Sequence, residues 1–499
     1  MSLSNTKNST YSNPILPGWH SDPSCTFVSE DNTFFCTTSS FLTVPGIPVY
    51  ASKDLVNWKL ASHVVTRFSQ VPEIANSSSQ TQQDGLWAST IRYRKGKFYL
   101  LTSYVSMYPD FEFKGLLFTT EDIYSDEAWS EPLRFEIGDI DPDIFWDEDD
   151  TAYGPHIYKK DNWYYLCIGE GGTELGHRQV IARSRSVMGP FEGYIGNPIL
   201  TNFNTSEYFQ TVGHADIFQD SNGNWWGVAL ATRSGPAWRV YPMGRETVLF
   251  PVTWKEGEWP VLEPVRGRMT GWELPRPSSQ IPGDGPYVDG PDRIDFAPGT
   301  PIPRHFLFWR FPKSDAFTVS PPERPYSLRL LPSRHNITGL GVIGDRVEQT
   351  AITLVTRRQS HTYFTYSVDV SFYPSEEGEE VGVTVFLTQY QHIDLGVVLL
   401  PNVTIPESVI KALPPFKDVR VRLRIQAVND THYILSAVLP GLGRFDFSQH
   451  AEAVLVSGGT GRFTGVLLGV YATSNGGSGS TPSYISRWRY EGHGQNIGE

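Results

Sequence analysis

Five segments in the first half of the chain repeat one plan, and this repeat limits the fold more than any other feature. Each carries small or acidic residues near its start, runs through an apolar strand, turns on polar residues and returns through an aromatic strand. They read HSDPSCTFVSEDNTFFCTTSS, WASTIRYRKGKFYLLTSY, IDPDIFWDEDDTAY, GPHIYKKDNWYYLCIGE and GHADIFQDSNGNWWGVALAT. Most are followed by a second strand pair, as in ASKDLVNW, TTEDIYSDEAW and ARSRSVMGPFE. Two hairpins make a four-stranded antiparallel blade, and blades repeated about an axis make a propeller. The expected fold is therefore all-β, a five-bladed β-propeller whose innermost strands bring short polar side chains together near the axis.

The spacing breaks once. Segments start at His20, Trp87, Ile140, Gly154 and Gly213, and Ile140 to Gly154 is only 14 residues. Four strands and their turns need several times that length. The third blade is expected to be incomplete, a single hairpin without its outer pair.

Residues 275–303 hold eight prolines and little apolar periodicity, which reads as a linker. Beyond it, period-two strand signals run over Tyr363–Tyr373, Val381–Leu387, His392–Leu400, Val419–Val428, His432–Leu439 and Phe463–Thr473. The expected division is a propeller over 13–274, a linker over 275–303 and a β-sandwich over 304–499.

A net charge of −13, with no basic block, argues against nucleic acid and against an anionic membrane surface as partners. The longest uncharged apolar stretch, Phe463–Thr473, is too short to span a bilayer. The aromatic excess, 14 Trp, 24 Tyr and 28 Phe, suits stacking against the C–H faces of sugars. Met1–Asn13 is polar and shows no signal peptide, whereas sequons at Asn8, Asn76, Asn204, Asn336, Asn402 and Asn429 permit secretion. Cys25, Cys36 and Cys167 form no disulfide framework and no zinc pattern. Pairing of Cys25 with Cys36 across one hairpin is open to them, but buried free thiols are the expectation.

Asp22, Asp141 and Asp216 stand at strand starts, where converging carboxylates serve as a base and its partners in hydrolysis. Asp-Pro, which occurs at Asp22 and Asp141, is also a common turn initiator. At these residues the sequence resembles a known family. NPILPGWHSDPS, GLWASTIRY, IDPDIFWDEDD, GPHIYKKDNWYYLCIGEGGTELGH, TVGHADIFQD and MGRETVLFPVTW resemble glycoside hydrolase family 43, five-bladed propellers acting as β-xylosidases and α-L-arabinofuranosidases. VTRRQSHTYFTYSVDV, EEVGVTVFLTQYQHIDLGV and YISRWRY resemble the concanavalin-like C-terminal β-sandwich of one branch.

The resemblance implies an exo-acting, inverting hydrolase of arabinoxylan or xylo-oligosaccharides, secreted, with no required cofactor. It makes Asp22 the general base and Asp141 the aspartate that orients the general acid and raises its pKa. It makes Trp87 an aromatic wall of the sugar site, and Phe41 equally a wall or core packing. Arg245 matches a contact to sugar hydroxyls, the alternative being an ion pair with Glu246 or an inner-strand acid. His214 matches a central histidine that touches sugar or a structural calcium, and is equally a core histidine.

One position departs from the family. Its general acid is a Glu directly before Gly-Pro, but here Tyr153 precedes Gly154-Pro155. The short interval and the absent acid point to the same junction, Tyr153–Gly154, as the place where a segment is missing. Glu170, Glu174 and Glu207 lie nearby in sequence, and no spacing promotes any of them to proton donor. The alternative function is thus a catalytically impaired carbohydrate-binding homologue, or a defective gene model.

Overall fold

In a computed structural model, the structure describes residues 8–76, 82–107, 110–147, 152–153, 156–276, 280–339, 351–400, 411–413, 420–440, 446–458 and 463–499. It is all-β, the described helices being single turns at Glu73–Asn76 and Ala453–Val456. Two compact units divide it: one holds the described residues of 1–72, 83–288 and 497–499, the other those of 73–82 and 289–496.

The first unit is a succession of antiparallel sheets. Ser24–Val28, Thr33–Thr37, Gly46–Ser52 and Lys59–Val65 form the first, and Gly85–Arg94, Lys97–Ser106, Glu112–Thr120 and Leu133–Phe135 the second. The third has two described strands, Phe145–Trp146 and Ala152–Tyr153. Ile157–Lys160, Trp163–Glu170, Arg178–Ser184 and Glu192–Gly193 form the fourth, and Phe209–Gln219, Trp225–Arg233, Arg245–Thr253 and Val261–Leu262 the fifth. Two-residue hairpin turns require left-handed backbone. Lys95–Gly96 (φ 50° and 81°) and Asp161–Asn162 (φ 52° and 60°) supply it in the second and fourth sheets.

The N-terminal segment ties the first sheet to the fifth. Ser9–Ser12 pairs with Arg268–Gly271, and the His20 amide donates to the Arg245 carbonyl at 3.0 Å. The Asn13 side chain acts like a strand residue, donating to the Leu249 carbonyl (3.0 Å) and accepting from the Leu249 amide (2.8 Å). Phe34, Phe209, Trp226 and Phe250 belong to the same buried cluster. This stitching sets Asp22 beside Arg245.

The cysteines correct an expectation. Cys25 and Cys36 are cross-strand neighbours in the first hairpin, with Cα atoms 4.1 Å apart, and are joined as a disulfide rather than left as free thiols. Cys167 is free and buried.

The second unit is a β-sandwich. One sheet runs in the order Phe317–Val319, Leu328–Leu330, Ser483–Gly494, Tyr363–Ser371, Arg420–Ala427, His432–Val438 and Asp446–Glu452, with Asp292–Ile294 also on Ser483–Gly494. In the other, Gln391–Val398, Glu380–Thr388, Leu467–Thr473, Thr353–Arg358 and Leu307–Trp309 follow one another. Alternation fills its core: Phe364, Tyr366, Val368 and Val370 are buried, as are Val421, Leu423 and Ile425. Five of the six strands expected here recur within two residues at each end. The sixth, Phe463–Thr473, begins later, at Leu467.

The disulfide closes a short loop, and such a bond typically contributes about 2–4 kcal/mol. Thiol titration of the denatured, unreduced chain should find one reactive cysteine, and three after reduction. Cys25→Ser with Cys36→Ser should lower unfolding free energy by about 2–4 kcal/mol. Three thiols without reductant would contradict the bond.

Candidate active site

Asp22 sits in the turn entering the first sheet, at φ 54°, with its side chain buried. Ser39 Oγ donates to it at 2.6 Å and Arg245 Nη1 at 3.0 Å. Burial alone would lift the carboxyl, but the Arg245 and His214 charges and the Ser39 and Ser21 hydroxyls outweigh it, and the group stays below the usual carboxylate range. Asp22 is therefore an anion at neutral pH.

Arg245 starts an inner strand of the fifth sheet, so strand alternation sends Glu246 to the opposite face. There Arg233 clasps Glu246 at 2.6 and 2.9 Å, and the Gly18 amide donates at 2.6 Å. Of the ion pairs open to Arg245, the structure forms the one with the inner-strand acid.

Asp141 has φ 62°, and its side chain remains 36% accessible. His214 Nδ1 lies 3.7 Å from its Oδ2. Desolvation by the surrounding protein, reinforced by the Asp22 charge, raises the Asp141 pKa against the opposing pull of His214.

An aromatic wall adjoins this group. The Phe41 ring lies 5.7 Å from Trp87 and 5.9 Å from Trp19, with the Arg245 guanidinium 5.9 Å from its centroid. Backbone bonds between Phe41 and Leu86, at 2.9 and 3.1 Å, hold the wall together. They require glycine at 85: at φ 107°, a Cβ there would stand 2.2 Å from the Phe41 carbonyl oxygen. Phe111, 53% accessible, extends the wall at 6.2 Å from Trp87. No repeat or motif in the sequence marks Phe111 as part of this wall. Asp22, Phe41, Trp87, Asp141, His214 and Arg245 are thus all brought into one neighbourhood.

A second layer was not foreseen. Arg92 Nη1 donates to Asp216 Oδ2 at 2.8 Å, and Nη2 to Asp143 Oδ2 at 2.7 Å. Asp216 also accepts from Ser24 Oγ and Tyr158 OH, each at 2.7 Å. His156 Nδ1 meets Asp143 at 2.7 Å. Burial opposes charge on Asp216, yet Arg92 and His156 hold its carboxyl far below the ordinary range. Asp216, grouped by sequence with the two other acids, is fully engaged in structure. Burial would depress His156, but Asp143 overcomes it and raises the imidazole pKa.

Of the glutamates that follow Gly154 in sequence, two are engaged elsewhere. Glu170 faces Arg178 at 3.4 Å and Glu207 faces Arg266 at 3.0 Å; neither contacts Asp22 or Asp141 among the described residues. Gly154 and Pro155 lie outside the described residues, and Tyr153 is described only as backbone of the third hairpin.

Calcium takes six to eight oxygen ligands. His214 has one carboxylate beside it, and the charges felt by Asp141 are otherwise those of Asp22, His156 and Arg245. Among the described residues, no group of three or more metal-ligating side chains occurs.

Comparison with known proteins follows the same outline. The pattern of glycosyl hydrolases family 43 matches residues 11–153 and 154–260, interrupted at the junction singled out above. That of the beta xylosidase C-terminal concanavalin A-like domain matches 293–491. A non-reducing end alpha-L-arabinofuranosidase of Bacteroides ovatus is 30% identical, covering 95% of this chain and 93% of its own. The alignment runs over 528 positions, more than this chain's 499 residues. A xylosidase/arabinosidase of Butyrivibrio fibrisolvens is 29% identical over 93% of this chain and 96% of its own. The solved structure of Bacteroides ovatus xyloglucan PUL GH43B superposes with a TM-score of 0.81 at 29% identity, covering 97% of this chain and all of that one.

His177 offers a pH test. Burial lowers its pKa to about 4, and its Nδ1–H donates to the Thr211 carbonyl at 2.9 Å. The folded state holds it neutral while the unfolded chain protonates near 6.5, so its contribution is complete above that pH and fades as pH falls towards 4. Between pH 7 and pH 5, wild type should lose about 2 kcal/mol more unfolding free energy than His177→Asn, measured by urea denaturation. Equal losses would contradict a neutral buried imidazole.

Proposed function

The chain belongs to the family 43 glycosyl hydrolases, and from that premise we propose that it removes terminal α-L-arabinofuranosyl or β-xylosyl groups from xylan-derived substrates by an inverting route. The carrying observation is one carboxylate, Asp22, kept ionised by Arg245 and Ser39 beside the Phe41–Trp87 wall. In this reading Asp22 takes a proton from the attacking water. Arg245 donates to the sugar's vicinal hydroxyls, and the rings pack against its C–H face. Asp141, next to His214, supplies the negative charge that raises the acid's pKa. No cofactor enters. The five successive sheets are read as blades of a propeller over 13–274, the third reduced to its inner hairpin, with the sandwich over 304–499 following a linker. The Cys25–Cys36 disulfide supports an oxidising, extracellular setting.

A second reading has its own observation. The third sheet stops at two described strands, and the family match breaks between 153 and 154. An inverting site needs an acid about 6.5–9.5 Å from its base, and among the described residues Glu170 and Glu207 pair with arginines instead. As it stands, the chain is a hydrolase deprived of its proton donor, suited to binding sugar and to cleaving only activated glycosides.

The test is release of sugar from arabinoxylan and from nitrophenyl α-L-arabinofuranoside and β-xyloside. Nitrophenyl glycosides should be cleaved, with arabinoxylan slower by the about 10²–10⁴-fold expected for a lost general acid. Asp22→Asn should reduce nitrophenyl cleavage by a further about 10²–10⁴-fold. No cleavage of any glycoside by folded protein would reject the hydrolase reading and leave the binding one.

A further inference from the structure

The β-sandwich carries a cleft of about 480 Å³ whose lining is unlike the rest of this acidic chain. Arg324, Arg420, Arg487 and Arg489 line it, with Tyr326 and Tyr484. Asp295 is the one acid in the lining, and Arg489 holds it at 2.5 Å. Buried Asp369 lies close by, but Arg422 already takes it at 2.6 Å, leaving Arg487 at 3.7 Å and Arg420 at 3.9 Å, beyond hydrogen-bonding reach. Arg324 stacks over Tyr484 at 5.5 Å and has no carboxylate partner among the described residues. The cleft therefore keeps an excess of positive charge on guanidinium forks.

The backbone builds this lining at a cost. Strand Ser483–Gly494 takes three steps, Ser486 to Arg489, where its partner takes two, Asp369 to Ser367. This bulge turns Ser486 and Arg487 outward together between buried Ile485 and Trp488. Arg487 stands at φ 53° and Tyr326 at φ 59°, left-handed conformations unfavourable to large side chains, and Tyr326 is 58% accessible. Strain of this kind concentrates where a surface is shaped for a ligand.

We propose that this cleft binds a uronic acid, the carboxylate-bearing sugar of an acidic polysaccharide, through its arginine forks and tyrosine rings. Paired N–H donors match a carboxylate, and aromatic faces match a pyranose, a combination that a bare inorganic anion leaves half unused. The inference goes beyond the hydrolytic reading and does not depend on it.

The test is calorimetric titration of the whole protein with a glucuronic-acid-bearing xylo-oligosaccharide, its neutral counterpart, free glucuronate and sulfate. The acidic oligosaccharide should bind at least about tenfold more tightly than the neutral one, and glucuronate more tightly than sulfate. Combined Arg324→Gln and Arg420→Gln should cost about tenfold or more in acidic-ligand affinity with an unchanged melting temperature, since Arg422 still holds Asp369. Equal binding of acidic and neutral ligands, sulfate equal to glucuronate, or affinity unaltered in the variant would each overturn the proposal.

Discussion

The catalytic-region unit depends on one guanidinium. Arg92, on the second sheet, binds Asp143 at the entry to the third and Asp216 on the fifth. Through those acids it reaches His156 and Tyr158 at the fourth and Ser24 on the first. One mostly buried cation thus joins residues on four of the sheets and one at the entry to the third. Such an arrangement adds little net stability compared with an apolar core, but removing one partner strands a buried charge at a cost of about 3–5 kcal/mol.

Above that hub, geometry separates two carboxylates by environment. Asp22 is buried, yet an arginine and a serine hydroxyl keep it anionic. Asp141 is partly open to solvent, and desolvation and the Asp22 charge raise its pKa. Two acids pushed in opposite directions give a site its division of labour. The aromatic wall depends on the backbone pairing of Phe41 with Leu86, which Gly85 permits.

Much of this was legible in the sequence for local reasons. Hairpins announce themselves through turn residues such as Lys95–Gly96 and through strand alternation, and the short interval before Gly154 shows the third sheet's deficit by arithmetic alone. The Arg92 network was not legible, because its partners come from distant parts of the chain and a lone arginine in a strand carries no local pattern. The disulfide was missed because three cysteines favour free thiols, although Cys25 and Cys36 are equidistant from their turn and so face each other in register.

In the proposed reading, the base side of a family 43 site is assembled, while no proton donor stands beside it among the described residues. The most direct measurement is the hydrolysis rate across a series of aryl α-L-arabinofuranosides and β-xylosides with progressively less acidic phenols. Without a donor, the leaving phenolate must depart unprotonated, so the rate should fall steeply along the series. A rate nearly independent of the phenol would show that a residue of this chain delivers the proton, and would contradict that reading.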